Sequence, residues 1–357
     1  MKNKHGANIF DISRQYGYDL KDIADFSSNI NPMGASPRAK KYLIENIDMV
    51  STYPDTDYVE LKNAMVEYSG ARAENILLFS GTTEGIVNYI KLINPKRAML
   101  LSPCYSEYER ELKRINSEIF YYDLMEEQEF KINVADIIDQ IQEKKVEMLV
   151  FANPNNPTGT ILKRDEIEKI LQNTTVKILL DETYVEFTDT DVFSSVPLTE
   201  RYENLFVVRG VSKFFSMPGI RLGYGISSSQ EIKDSVNNAE ILWNINIFAD
   251  IMGRESFLDR PYQREVYEFI TDQRELMVKE LRKIEDIKVF DSYGNFVLSK
   301  ILKDKTAAQL REYLLKYGMV VRDCSNFKNL SDKYFRFCIL KKEQNQKLLR
   351  GIEEFFR

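Results

Sequence analysis

Lys213 is the residue around which chemistry can be built. It stands in Ser212-Lys213-Phe214-Phe215-Ser216-Met217-Pro218-Gly219-Ile220-Arg221-Leu222-Gly223-Tyr224, just after the strand-like run Leu205-Phe206-Val207-Val208-Arg209. An amine delivered by an apolar strand and set among aromatic side chains is a candidate for imine formation with a carbonyl group. Most lysines are solvated surface residues, so the weight falls on what accompanies this one. Upstream, in order, lie Ser80-Gly81-Thr82-Thr83-Glu84, Asn153-Pro154-Asn155-Asn156-Pro157-Thr158-Gly159 and Asp181-Glu182-Thr183-Tyr184. A lysine for an imine, an aspartate for a pyridinium nitrogen and a glycine turn for a phosphate together predict a site for pyridoxal phosphate (PLP).

Each residue carries a second, plainer reading. Asp181 ends an apolar run, and functional groups collect at the carboxyl ends of strands in open α/β sheets; Asp also caps helices at such points. On the functional reading it pairs with the ring nitrogen, and Tyr184 is placed to meet the ring hydroxyl. Asn156 is placed to donate to the same ring oxygen, or serves ordinary turn chemistry. Gly81, Thr82 and Thr83 lie between a predicted strand and a predicted helix, where backbone amides form an anion site. Tyr105 stacks on a ring or fills the core. Ser212 flanks the lysine, and Arg221 is placed to neutralise the cofactor phosphate. Arg336, in Tyr334-Phe335-Arg336-Phe337, and Arg322, in Val320-Val321-Arg322-Asp323-Cys324, have apolar neighbours, where a guanidinium is costly unless paired. Two such arginines predict a substrate with two anionic groups; the plainer reading is an internal pair such as Arg322 with Asp323.

Bulk properties narrow the field. The chain has 357 residues, 43% of them apolar, and a net charge of −6. That suits one large and one smaller domain and argues against nucleic acid as a partner. No apolar segment at the start reads as a signal peptide, and no run reaches membrane-spanning length. Cys104, Cys324 and Cys338 are scattered and read as reduced thiols in a cytoplasmic protein. His5 is the only histidine, which removes a histidine-cluster metal site and a catalytic triad; no metal is expected.

To position these residues the chain must alternate strands and helices. Strands are expected over 76–80, 97–102, 146–152, 176–181, 204–209 and 221–226, most of them apolar on both faces, as in a sheet covered on both sides. Charged helices are expected over 106–116 and 163–172. The fold class is therefore α/β with a largely parallel sheet. Beyond about residue 250 a long helix over 262–284 leads to short strands at 288–291, 295–301, 319–324 and 334–340, with a helix over 306–317 ended by Gly318. This smaller module is α+β. The expected divisions are an N-terminal arm with a small-domain segment (1–45), a large domain (46–250) and a small C-terminal domain (251–357). The sequence has no Gly-x-Gly-x-x-Gly or Walker-type loop, so a nucleotide-binding domain is remote.

On these motifs the chain resembles fold-type I PLP-dependent enzymes of the class I/II aminotransferase family, over nearly its full length. Two relatives compete. Histidinol-phosphate aminotransferases share Thr52-Tyr53-Pro54-Asp55, the Asn-Pro-Asn-Asn-Pro-Thr-Gly turn and the Lys213 segment. Threonine-phosphate decarboxylases of cobalamin synthesis share these and more. Their His-Gly-Gly-Asn opening is similar to His5-Gly6-Ala7-Asn8, and their Asp-Phe-Ser-Ala-Asn-Ile-Asn-Pro-Leu-Gly segment to Asp25-Phe26-Ser27-Ser28-Asn29-Ile30-Asn31-Pro32-Met33-Gly34. Their C-terminal arginines resemble Arg322 and Arg336. The resemblance implies that His5 and Asn29 face a substrate phosphate. It also implies a homodimer in which Tyr53 reaches the cofactor phosphate of the neighbouring subunit. The expected substrate is a small phosphorylated amino acid, O-phosphothreonine or O-phosphoserine, which is decarboxylated; amino transfer is the alternative, and a non-catalytic PLP-binding protein a remote third. The sequence departs from the decarboxylase pattern at Ala7 and in the turn Gly81-Thr82-Thr83-Glu84. Gly210 stands where many relatives carry Ser or Thr.

Overall fold

The strand-length runs pair into a seven-stranded sheet in the order Ile76–Phe79, Gly223–Ile226, Leu205–Gly210, Lys177–Asp181, Met148–Ala152, Arg97–Ser102 and Glu118–Asp123. The computed structural model describes residues 8–239 and 242–357. All pairings are parallel except those of Gly223–Ile226, which runs antiparallel to both neighbours. Period-two geometry sends alternate residues of one strand to opposite faces. Met99 and Leu101 join one apolar cluster while Ala98 and Leu100 join the other; Leu149 and Phe151 separate from Met148 and Val150 in the same way. Two covered faces explain why these strands read as continuous apolar runs.

The expected helices form at Ser106–Arg114, Arg164–Asn173, Arg260–Leu281 and Ala307–Leu315, the last followed by Gly318 in the left-handed region at φ 71°. A four-stranded antiparallel sheet, in the order Arg322–Asp323, Tyr334–Cys338, Phe296–Ile301, Ile287–Val289, builds the small C-terminal domain. Two expected strands differ. The one at 221–226 begins only at Gly223, because Arg221 takes φ 61° and turns the chain first. The one at 319–324 splits: Met319–Val320 pairs with Ala24–Asp25, and Arg322–Asp323 crosses to the four-stranded sheet. The edge strand Glu118–Asp123 lies outside the expected set although it carries the short run Ile119-Phe120-Tyr121-Tyr122; its residues are mostly half-buried or exposed.

The parallel strands reverse their order between Arg97–Ser102 and Met148–Ala152. Ligands of open α/β sheets bind in the crevice outside the carboxyl ends at such a reversal. The predicted chemistry lies at the ends of these strands and their neighbours. Among the described residues no helix is long and apolar enough to cross a membrane, and no group of three or more His, Cys, Asp or Glu is placed to hold a metal ion.

Candidate active site

One cavity collects Thr82, Thr83, Tyr105, Asn156, Asp181, Tyr184, Lys213, Arg322 and Arg336, together with Asn29 from the N-terminal segment. Residues more than 300 apart in sequence therefore meet at one cavity. Lys213 follows the strand Leu205–Gly210, and its Nζ donates to the Ser28 carbonyl at 2.7 Å. Asn31 braces the same segment: its N–H donates to the Lys213 carbonyl at 3.0 Å and its Nδ2 to the Phe214 carbonyl at 2.8 Å.

Asp181 ends its strand inside the protein. Its Oδ1 accepts from the Thr183 N–H at 2.9 Å and from the Thr183 hydroxyl; its Oδ2 accepts from the Tyr108 hydroxyl at 2.6 Å. Burial pushes its pKa above the ordinary value, while these donors and the positive Lys213 pull the other way. The capping and functional readings of Asp181 are thus compatible: one oxygen closes the turn, and the side chain still lines the cavity. Tyr108 and Thr183 were not singled out from sequence. Their signals were spacing alone, one helical turn beyond Tyr105 and two residues beyond Asp181. Tyr105 meets Tyr108 edge-on, with centroids 5.4 Å apart, and burial pushes its hydroxyl pKa well up.

The phosphate turn is built by close approach. Gly81 caps the helix Thr82–Ile93 at φ 93°, a conformation L side chains rarely adopt. A Cβ there would lie 2.8 Å from Arg221 Cζ, so the arginine fills the space against the turn. Gly223 touches the same turn, since its Cβ would lie 2.6 Å from the Gly81 carbonyl carbon. The amides of Thr82 and Thr83 open the helix and have no intrahelical acceptor. At Gly210 a Cβ would stand 2.6 Å from Thr82 Cγ2; the Thr82 methyl occupies the room a Ser or Thr side chain would need.

At the other end, Arg336 is 5% exposed. It donates to the Asn156 side-chain oxygen and, at 2.6 Å, to the Ser27 carbonyl; its Nε is buried without a partner. Arg322 lies directly opposite in the strand pair. It donates to Asn326 at 2.8 Å and covers the Phe327 ring. No ion pair joins Arg322 to Asp323, whose Oδ1 instead accepts from the Ser325 N–H at 2.9 Å. Burial, with neighbouring Arg336 a lesser cause, holds the Arg322 pKa below its ordinary value; it remains cationic at neutral pH. Asn29, at φ 55°, donates to the Tyr184 hydroxyl at 3.2 Å, and its own buried oxygen has no partner.

Four expected residues are not among those lining the cavity: Ser212, Tyr53, and the pair Gly81 and Arg221, which pack against each other at the start of the helix Thr82–Ile93. Tyr53 is 75% exposed and stacks on Trp243. His5 lies outside the described residues.

The sequence pattern of the Aminotransferase class I and II family matches residues 21–352. The chain belongs to this family. It is an enzyme, and the family's cofactor is PLP. A protein of Caldanaerobacter subterraneus subsp. tengcongensis, provisionally named threonine-phosphate decarboxylase, is 39% identical over 358 residues, covering 98% of this chain and 94% of that one. The histidinol-phosphate aminotransferase of Methanocaldococcus jannaschii is 28% identical, covering 98% and 95%. The crystal structure of the histidinol-phosphate aminotransferase from Clostridium acetobutylicum superposes with a TM-score of 0.86 at 32% identity, covering 93% of this chain and 99% of that one. The residues present fit PLP. A glycine cradle backed by Arg221 suits the phosphate, buried Asp181 suits the ring nitrogen, and Lys213 shares the cavity with both Asn156 and Tyr184.

Proposed function

We propose that this enzyme decarboxylates a small phosphorylated amino acid, O-phosphothreonine or O-phosphoserine, and works as a homodimer. The observation that carries the reading is the pair Arg322 and Arg336. Like charges directly opposite in a sheet repel, and among the described residues neither has a carboxylate partner. Both line the cavity, so an anionic ligand would relieve the repulsion. The similarity to a provisionally named threonine-phosphate decarboxylase supports a substrate with both phosphate and carboxylate.

When bound, PLP supplies an electron sink for charge developing at a substrate α-carbon. Lys213 would hold the cofactor by its amine, and Asp181 would keep the proton on the ring nitrogen. Asn156 and Tyr184 would meet the ring oxygen. Gly81, Thr82, Thr83 and Arg221 would hold the phosphate. Arg336 and Arg322 would grip a carboxylate or phosphate through guanidinium forks; Asn29 would face the substrate phosphate, as would His5, which lies outside the described residues. If these groups pose the carboxylate for loss, it would leave as carbon dioxide and Lys213 would return a proton to the α-carbon. If they hold the carboxylate in place and present the α-hydrogen to Lys213, that amine would remove the proton instead and amino transfer would follow. Exposed Tyr53, away from its own cavity, suits a role in the partner subunit's site.

Product analysis with O-phosphothreonine, with and without a 2-keto acid, tests the reading. Carbon dioxide released without keto-acid dependence supports decarboxylation. Keto-acid-dependent amino transfer assigns the aminotransferase alternative. Neither product across a panel of phosphorylated amino acids points to a PLP-binding protein without turnover.

A further inference from the structure

Residues 242–246, just before the helix Ile247–Phe257, form no regular element, yet they are tied down at four points. Trp243 stacks on Tyr53, with ring centroids 4.3 Å apart and planes at 29°. Asn244 Nδ2 donates to Glu84 Oε2 at 3.2 Å, and the same oxygen accepts the Ser80 N–H at 2.5 Å. The Tyr58 hydroxyl accepts from the Ile245 N–H at 3.2 Å and donates to the Ile245 carbonyl at 2.9 Å. Asn246 Nδ2 donates to the Ile220 carbonyl at 3.0 Å.

Every tie leads to a group assigned to phosphate or to a close chain neighbour of one. Glu84 and Ser80 frame the Gly81 turn. Ile220 precedes Arg221. Trp243 touches Tyr53 itself, and Tyr58 anchors the segment that carries it. Glu84 is the third residue of its helix and reaches back to the N–H before the cap, in the manner of a capping box. Its carboxylate is also an anion beside a predicted anion site. Donors from Ser80 and Asn244 fix its orientation, and with it the aim of the Thr82 and Thr83 amides. Trp243 adopts φ 60°, a left-handed conformation uncommon for a bulky residue, which the surrounding ties must hold in place.

We propose that Trp243 and Asn244 are positioning residues for recognition of the cofactor phosphate. Asn244 steadies the chain's own phosphate turn through Glu84, and Trp243 holds Tyr53 in the pose that serves the partner subunit's site. This rests on the PLP reading of the site and deepens it.

The test compares PLP with pyridoxal, which has the same aldehyde and ring and no phosphate. Both are titrated into cofactor-free protein, and imine formation at Lys213 is followed by absorbance. In Asn244→Ala the dissociation constant for PLP is expected to rise about tenfold, the scale of one well-placed hydrogen bond, while that for pyridoxal stays unchanged. Trp243→Ala is expected to show the same phosphate-specific loss, and Trp243→Phe, which keeps a stacking face, to restore it. Equal weakening of both ligands would mean a merely structural loop and overturn the proposal. So would unchanged PLP affinity in Asn244→Ala. An effect of Asn244→Ala without one of Trp243→Ala overturns the Tyr53 half. Failure of the wild-type protein to take up PLP at Lys213 is a different result and overturns the cofactor assignment itself.

Discussion

Adjacent residues at the end of one central strand face opposite fates. Asp181 lines the cavity on the side of Lys213, and its charge is shared with neutral donors, Thr183 and Tyr108. Glu182 turns away from that cavity and meets Arg209 from the neighbouring strand at 2.7 Å, with side chains 0% and 3% exposed. That pair is closed: Glu182 also accepts from the Ser195 N–H at 2.5 Å and the Ser194 hydroxyl at 3.2 Å. In the cavity, Arg322 and Arg336 lie opposite each other with no carboxylate partner among the described residues. A buried charge that the protein neutralises by itself is part of the scaffold. One left without its counter-charge marks where a ligand completes the electrostatics.

The comparison can be broken most directly at Glu182. Glu182→Ala leaves buried Arg209 without its ion-pair partner, with only Glu186 as a neighbouring carboxyl among the described residues, which should cost about 3–5 kcal/mol of stability, read from urea denaturation. A loss under about 1 kcal/mol, the range of exposed pairs, would erase the distinction between the two sides. Asp181→Asn should behave in the opposite way. It removes a buried charge that burial already disfavours, so stability should hold. Turnover should fall by about 3–4 kcal/mol of barrier, as when a well-placed electrostatic group is lost. Near-wild-type turnover would reduce Asp181 to a cap.

Glu186 sharpens the comparison, since it sits on the scaffold side without closure. Both its oxygens are buried without a partner, and burial pushes its pKa from 4.5 to about 7. Between those values the folded protein keeps a proton that the unfolded chain has lost. Stability should therefore fall as pH rises through that window and level off above it. Glu186→Gln should flatten the slope and add on the order of 2–3 kcal/mol at pH 8. A wild-type protein whose stability rises over the window, with no change in the variant, would show that a cation or donor satisfies Glu186.

Which parts of this were legible in the sequence follows from how each signal is written. Lys213, Asp181, Asn156 and the Gly81 turn sit next to strand ends, and the strands announce themselves as apolar runs because both faces are covered. Tyr108 was hidden because its role is a contact with Asp181 across 73 positions, and an aromatic on a helix reads as core. The Arg209–Glu182 pair was hidden for the same reason, a contact across 27 positions, although Glu182 adjoins Asp181. Arg322 beside Asp323 invited a local ion pair, but consecutive residues on a strand point to opposite faces, and the true neighbour of Arg322 is Arg336 across the ladder. The Asn244 ties were illegible because nothing in the composition of that loop marks it.

The smallest expected effect tests the cavity side at its most exposed assumption, that the two arginines wait for an anion. Arg336→Ala should leave PLP uptake intact, because Asn156 and Asp181 keep their places. It should cost about 1.5–3 kcal/mol in kcat/KM for the phosphorylated substrate, the worth of one charge-assisted contact. Arg336→Lys restores the charge without the planar fork, so it should recover only part of the loss. Stability should change little, since relief of the repulsion between two like charges opposite each other offsets the hydrogen bonds to Asn156 and the Ser27 carbonyl that the variant loses. The size of the stability loss, set beside kcat/KM, separates the readings. An arginine serving the fold would lose stability with its hydrogen bonds to Asn156 and Ser27 and leave kcat/KM nearly unchanged. An arginine serving a ligand loses kcat/KM and keeps the fold.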